Sequence, residues 1–168
     1  MPENYFANYP DDASLWIYSA DRQLSADEQS TLLKNLSPFL ADWSSHGRAV
    51  CGEAHVVANQ FIFIAGTIPG GDISGCGIDS SVHALENARS SLEFNWLPQL
   101  QILFRDDQGN ICHVDRASFR QLIRDGYITL DTIVFDTSIH TVGAFRRREF
   151  ECDARTTWHS SFFSVAAI

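Results

Sequence analysis

The chain has 168 residues, 45% hydrophobic and 20% charged, enough for one domain or two small lobes with a buried core. Twelve Lys and Arg stand against 21 Asp and Glu, a net charge of −9, which weighs against non-specific nucleic-acid binding and adhesion to anionic lipid, since both need a cationic surface. No stretch approaches the roughly 20 apolar residues of a membrane span, and the polar, acidic start MPENYFANYPDD is not a signal peptide by pattern.

Leu15–Ala20 (LWIYSA) predicts a first strand from its apolar and aromatic run. A helix follows over Leu24–Gly47. Ser25 and Glu28 form a capping-box pattern at its start, and Leu32, Leu36, Leu40 and Trp43 lie on one apolar stripe. Pro38 is expected to bend or interrupt it, and His46 with Gly47 to stop it. Val50–Ile68 reads as two strands around a turn near Asn59, a residue that tolerates left-handed geometry.

Next comes GGDISGCGIDSSVH, Gly70–His83, which concentrates glycines, serines, aspartates, a cysteine and a histidine. Asp79 or Ser80 is expected to start the second helix there, with Val82, Leu85, Ala88 and Leu92 facing the core. Leu100–Asp115 predicts a hairpin turning at DDQGN, Arg116–Gly126 a short helix, and Thr132–Ile139 a strand, before a mixed tail with Trp158, Phe162 and Phe163. The order β-α-β-β-α-β, then β-α-β, gives an α+β protein. Its first lobe, residues 1–98, fits a ferredoxin-like split βαβ sheet with helices on one face, and residues 99–168 form a small C-terminal α+β lobe packed on it.

LWIYSA, WSSHG, NQFIFIA, SGCGIDSSVH, DTIVFDT and TWHSSF occur in this order from about Trp16 to Phe162. The pattern resembles a bacterial family without an assigned activity whose members often carry the label "ABC transporter ATPase". The resemblance implies kinship and no mechanism. A P-loop needs Gly-x4-Gly-Lys-Ser/Thr, whose lysine reaches the terminal phosphates. Gly70–Ser81 contains no lysine, and the chain's only lysine is Lys34. SFRQLIRDGYITLDTIVF is similar to a stretch of GYF-like domains, which bind proline-rich peptides through exposed aromatics. The Gly-Tyr-Phe signature itself is missing.

Two functions are compatible with these residues. The first is a non-catalytic binding or interaction module, with a pocket built by the Gly70–His83 loop and ligand contacts from Ser74, Gly75, Cys76, Gly77, Asp79, Ser80 and Ser81. The alternative is a small thiol-dependent enzyme using Cys76 with His83 and Asp79, since a helix N-terminus can lower a thiol's pKa and Asp79 and His83 are one helical turn apart. Cys51, Glu53 and His55 alternate on one strand and would share a face, which more often means a mixed half-exposed sheet than a metal site. The cysteines at 51, 76, 112 and 152 form no Cys-x-x-Cys pair, so no metal and no cofactor is expected, and the thiols read as reduced in a cytoplasmic protein. His46, His113, His140 and His159 read as surface or capping residues, the four tryptophans as packing. The apolar strand QFIFIAG needs a cover on its second face, from the C-terminal lobe or a second copy of the chain. The expected partner is a small molecule or a protein, the chain itself included.

Overall fold

Trp16 and Tyr18 alternate with Leu15, Ile17 and Ser19, and strand geometry sends these two sets to opposite faces. In the computed structural model, which describes residues 4–166 apart from the side chains of Cys76, Val165 and Ala166, they form β1 (Ser14–Ser19). Helix α1 (Ala26–Asp42) follows, with both arms of the Ser25–Glu28 capping box made. Then come a small hairpin of β2 (Ser44–Ser45) and β3 (Arg48–Ala49), and the long hairpin of β4 (Cys51–Val57) and β5 (Phe61–Thr67). The turn between β4 and β5 has Ala58 and Asn59 at positive φ, a conformation that asparagine tolerates well. Helix α2 (Gly75–Ala88) is followed by the hairpin β6 (Ile102–Arg105) and β7 (Ile111–Val114), by α3 (Arg116–Arg124), β8 (Ile133–Phe135), α4 (Val142–Arg146), β9 (Glu151–Asp153) and α5 (Ser161–Ala166). The protein is a mixed α+β structure with three antiparallel sheets and five α-helices among the described residues.

Two compact units divide the chain. One is Met1–Leu97 with His140–Arg146, the other Pro98–Ile139 with Arg147–Ile168. In the first, the sheet order is β1-β5-β4, and every neighbouring pair is antiparallel. A four-stranded ferredoxin-like sheet would need another strand beside β1. That edge carries two isolated bridges instead, Ala20 with Trp96 and Ser14 with Thr141. Helices α1 and α2 share one face of the sheet, where Leu32, Leu36, Trp43 and Leu85 pack with Ile62 and Ile64. Phe61 and Phe63 point to the other face and are fully buried as well. Their cover comes from the same unit: the Phe145 ring of α4 lies 4.8 Å from Phe63, and Phe6 is buried nearby against His55. Arg146 holds this N-terminal segment down by bonding Asp11 and the carbonyls of Phe6 and Tyr9.

The second unit has the sheet β7-β6-β8-β9. Ile102, Phe104, Phe119, Val134 and Phe162 form its core, with the Phe119 and Phe162 rings 5.4 Å apart. Asp115 caps α3 through the Ser118 N–H at 2.7 Å, and Gly126 at φ +80° turns the chain out of it.

Several local expectations are corrected. Pro38 does not break α1, which runs on to Asp42. Proline lacks one donor, but its carbonyl partner would be on Lys34, an exposed residue whose backbone water can reach. His46 and Gly47 do not stop that helix. Both adopt positive φ and form the turn of the β2–β3 hairpin. Val82 is 43% exposed and does not face the core, where Ser81, Leu85 and Ala88 lie. His159 is not a surface residue but is 1% exposed.

Candidate functional site

The glycine-rich segment places its helix start earlier than Asp79 or Ser80. Ser74 is the N-cap of α2, and its Oγ accepts from the Gly77 N–H at 3.4 Å. Ser45, in β2, decides this choice. Its Oγ accepts from the Ser74 N–H at 2.8 Å and lies 2.7 Å from the Ser74 Oγ. The Trp43 indole N–H donates to the Gly77 carbonyl at 3.0 Å in the buried interior.

Close approach explains Gly77. A Cβ there would lie 2.9 Å from Ile73 Cγ2 and 3.2 Å from Ser45 Cβ. Gly52 and Gly66 flank the same indole, where a Cβ would come within 2.8 Å and 2.9 Å of Trp43. Gly52, Gly66 and Gly77 thus let two strands and a helix end close around one tryptophan. Gly70, at φ +71°, makes the turn before them.

The candidate residues of Gly70–His83 do not converge. Ser74 and Gly77 are used by the cap, and Ser81 is fully buried with its hydroxyl donating to the Ile78 carbonyl at 2.6 Å. Asp79, Ser80 and His83 are exposed on the outer side of α2, and Gly75 has open space beside it. The side chain of Cys76 lies outside the described residues. Its backbone is the second residue of α2, and His83 follows seven residues later, a rise of roughly 10 Å. A nucleophile and its base need hydrogen-bond contact, near 3 Å.

A cavity of about 520 Å³ does open beside the segment, but only Gly70, Gly71, Asp72 and Ile73 of it line the wall. Asp12, Ser14 and Thr67 complete the polar lining. Among the described residues, the expected contacts Ser74, Gly75, Gly77, Asp79, Ser80 and Ser81 are not part of this wall, because the early helix start turns them inward or outward. Sequence reasoning missed Asp12 and Ser14, which are far away along the chain and carry no motif, and Thr67, which lies just before the segment at the end of β5.

On the opposite face of β4, Cys51, Glu53 and His55 do share one side, as strand alternation requires. The His55 Nε2 and Glu53 Oε1 are 2.5 Å apart, and the rings of Tyr5 and Phe6 stand 4.6 Å and 4.9 Å from the imidazole. Tyr9 is pushed up to about 12 by burial, with the charges of Glu53 and Cys51 adding to it. Among the described residues no group of three or more His, Cys, Asp and Glu could hold a metal ion.

The second unit holds a cavity of about 600 Å³ beside Phe104, Asp106, Cys112, Tyr127 and Thr132. Its polar groups serve the fold. Asp106 accepts from the N–H groups of Gln108 and Asn110 and ties the β6–β7 turn, while burial and the Asp106 charge push the Cys112 thiol up, away from the reactive thiolate. His159 stacks 3.9 Å from Trp158 and shares a 2.7 Å hydrogen bond with Thr157 Oγ1, and burial lowers its pKa to about 4.

No protein-family model, curated protein or solved structure matches the chain.

Proposed function

We propose that the chain is a non-catalytic binding module whose ligand pocket is the cavity beside Gly70–Ile73. The observation that carries this reading is the pocket's construction: about 520 Å³ bounded by the turn Ile68–Gly71 and by two carboxylates, Asp12 and Asp72, that have no ion-pair partner among the described residues. Two acidic groups favour a small cationic ligand, such as an amine, over an anionic one. They also weigh against a triphosphate, as does the missing P-loop lysine. The ten-ångström scale separation of Cys76 and His83 along α2 weighs against the thiol-enzyme alternative.

In this reading the first unit is a ferredoxin-like split βαβ that kept three strands and replaced the fourth by the Trp96 and Thr141 bridges. Kinship with the bacterial family labelled "ABC transporter ATPase" rests on the SGCGIDSSVH string and its companions. The GYF-like likeness of the second unit would give a partner protein the exposed rings of Tyr127 and Trp158. The module would work in the cytoplasm.

The test is calorimetric titration of the full chain with a panel of small amines, guanidinium compounds and, as counter-ligands, organic phosphates. Binding of a cation that Asp72→Asn weakens at least tenfold is expected. Binding only of anions, or cation binding unchanged in Asp12→Asn and Asp72→Asn, would refute the pocket.

A further inference from the structure

The outer edge of β4 has no strand beside it among the described residues. Backbone hydrogen bonds show which groups it presents. On β1 the Leu15 N–H bonds His140 and the Ser19 carbonyl bonds Leu97, so odd residues of β1 face away from β5 and even ones face it. The registers Tyr18 with Ile62 and Val56 with Ile62 carry that alternation across the sheet. On β4, therefore, Cys51, Glu53, His55 and Val57 bond β5, and the N–H and C=O groups of Gly52, Ala54 and Val56 point outward. No partner for these six groups exists among the described residues. The edge also lacks the devices that blunt open strands: it has no proline, no lysine and no bulge over its seven residues.

We propose that β4 pairs antiparallel with β4 of a second copy about a two-fold axis at Ala54, joining two three-stranded sheets into one of six. Two features specify this register. The first is length. At one end the edge is already occupied, since the Val50 N–H bonds the Trp43 carbonyl at the base of the β2–β3 hairpin. At the other end the chain turns away at Ala58 and Asn59. Ala54 is the midpoint of what remains, Cys51–Val57.

The second feature is chemistry. With Ala54 opposite Ala54, Gly52 faces Val56, and these pairs exchange all six outward N–H and C=O groups. Between them Glu53 of one copy stands opposite His55 of the other, twice, in the closely spaced non-hydrogen-bonded positions where a carboxylate and an imidazole can hydrogen-bond across the strands. The Glu53–His55 pair seen within one chain thereby extends into a four-membered polar cluster on that face. On the other face Gly52, Ala54 and Val56 meet, small residues that pack beneath Leu40 and Trp43 of their own copy.

Light scattering and sedimentation of the full chain over a concentration series test the proposal. A dimer mass is expected for the natural sequence. Ala54→Pro should halve that mass with its circular dichroism intact, because the Ala54 N–H takes no part in the ladder to β5 and an edge strand tolerates proline there. Glu53→Arg should weaken the dimer by at least tenfold. Val57→Cys provides a measurement independent of folding damage. Cys51 stands opposite position 57 of the other copy, whereas within one strand the two positions are roughly 20 Å apart, beyond disulfide reach. Air oxidation, with oxygen accepting the electrons of the two thiols, should give a covalent dimer whose mapped bond joins Cys51 to the introduced thiol. Adding Cys51→Ser should abolish it. A monomer at all concentrations, a dimer unchanged by a folded Ala54→Pro, or a cross-link that maps elsewhere would each overturn the proposal. These outcomes are independent of ligand binding beside Gly70–Ile73.

Discussion

Gly75 and Gly77 are two residues apart in one helix turn, yet their substitutions should move stability in opposite directions. Alanine normally improves a helix by up to about 1 kcal/mol over glycine. At Gly75 nothing lies within 4 Å of the added Cβ, so Gly75→Ala should gain up to about 1 kcal/mol. At Gly77 the Cβ would collide with Ile73 and with the Cβ of Ser45, which cannot swing away, so Gly77→Ala should lose about 1–3 kcal/mol despite its better propensity. Urea unfolding of both variants checks the pair of signs. His159 gives a residue-scale prediction for pH. Burial lowers its folded pKa to about 4, against the ordinary 6.5, so the unfolded chain binds the proton more readily between those values. The contribution of the neutral, buried ring is fully present above about pH 6.5 and is lost as pH falls toward 4. Its ceiling is on the order of a few kcal/mol. Comparing His159→Gln with the natural sequence by urea unfolding at about pH 7 and about pH 5 should show the natural chain losing more stability on acidification. An equal loss in both would remove His159 as the cause.

At the scale of the element, α2 starts at Ser74 and not at Asp79 or Ser80, where the sequence pattern puts it. Both Ser74 and Asp79 are good N-cap residues. The structure uses Ser74, so Ser74→Ala should cost about 1–2 kcal/mol, the cap bond and the Ser45 contact together. Asp79→Ala, on an exposed side, should stay within about 0.5 kcal/mol. Thermal unfolding of the two variants measures this directly. Helix α1 shows the reverse situation. Its capping box is entirely local, Ser25 with Glu28 three residues on, and it forms as the pattern predicts. Arg22 and the Ser25 N–H hold the Glu28 carboxyl near a pKa of about 2, so this box stays ionised down to strongly acidic pH.

For the whole molecule, the net charge of −9 conceals how the cations are spent. The run Arg146–Arg148 is the one basic cluster visible in the sequence. Arg146 bonds Asp11, and Arg147 bonds Glu149 at 2.7 Å, so the cluster presents little free positive charge. With Lys34 exposed on α1 and the α2 N-terminus capped by Ser74, no lysine stands where a terminal phosphate would need one. The protein should therefore release no phosphate from Mg-ATP above a protein-free control, and calorimetry should show no sub-micromolar ATP binding. Turnover that Asp79→Ala abolishes would contradict this.

The sequence by itself determined the features whose partners lie within a few residues. These are the α1 capping box, the Asn59 turn, the β6–β7 hairpin at Asp106–Asn110, and α3 between Asp115 and Gly126. Local hydrogen bonds and left-handed turn residues leave a readable mark because chain proximity supplies the geometry. Only the tertiary structure decided the rest. Ser45 and Trp43, roughly 30 residues upstream, moved the start of α2 to Ser74 and so took Ser74, Gly77 and Ser81 out of any binding wall. His140–Arg146 left its neighbours in sequence to cover Phe63 in the first unit. Asp12 and Ser14 joined Gly70–Ile73 around one cavity. In each case the deciding contact joins distant segments. Its energy comes from burying apolar surface and pairing polar groups across the fold, and neither composition nor spacing along the chain encodes that legibly.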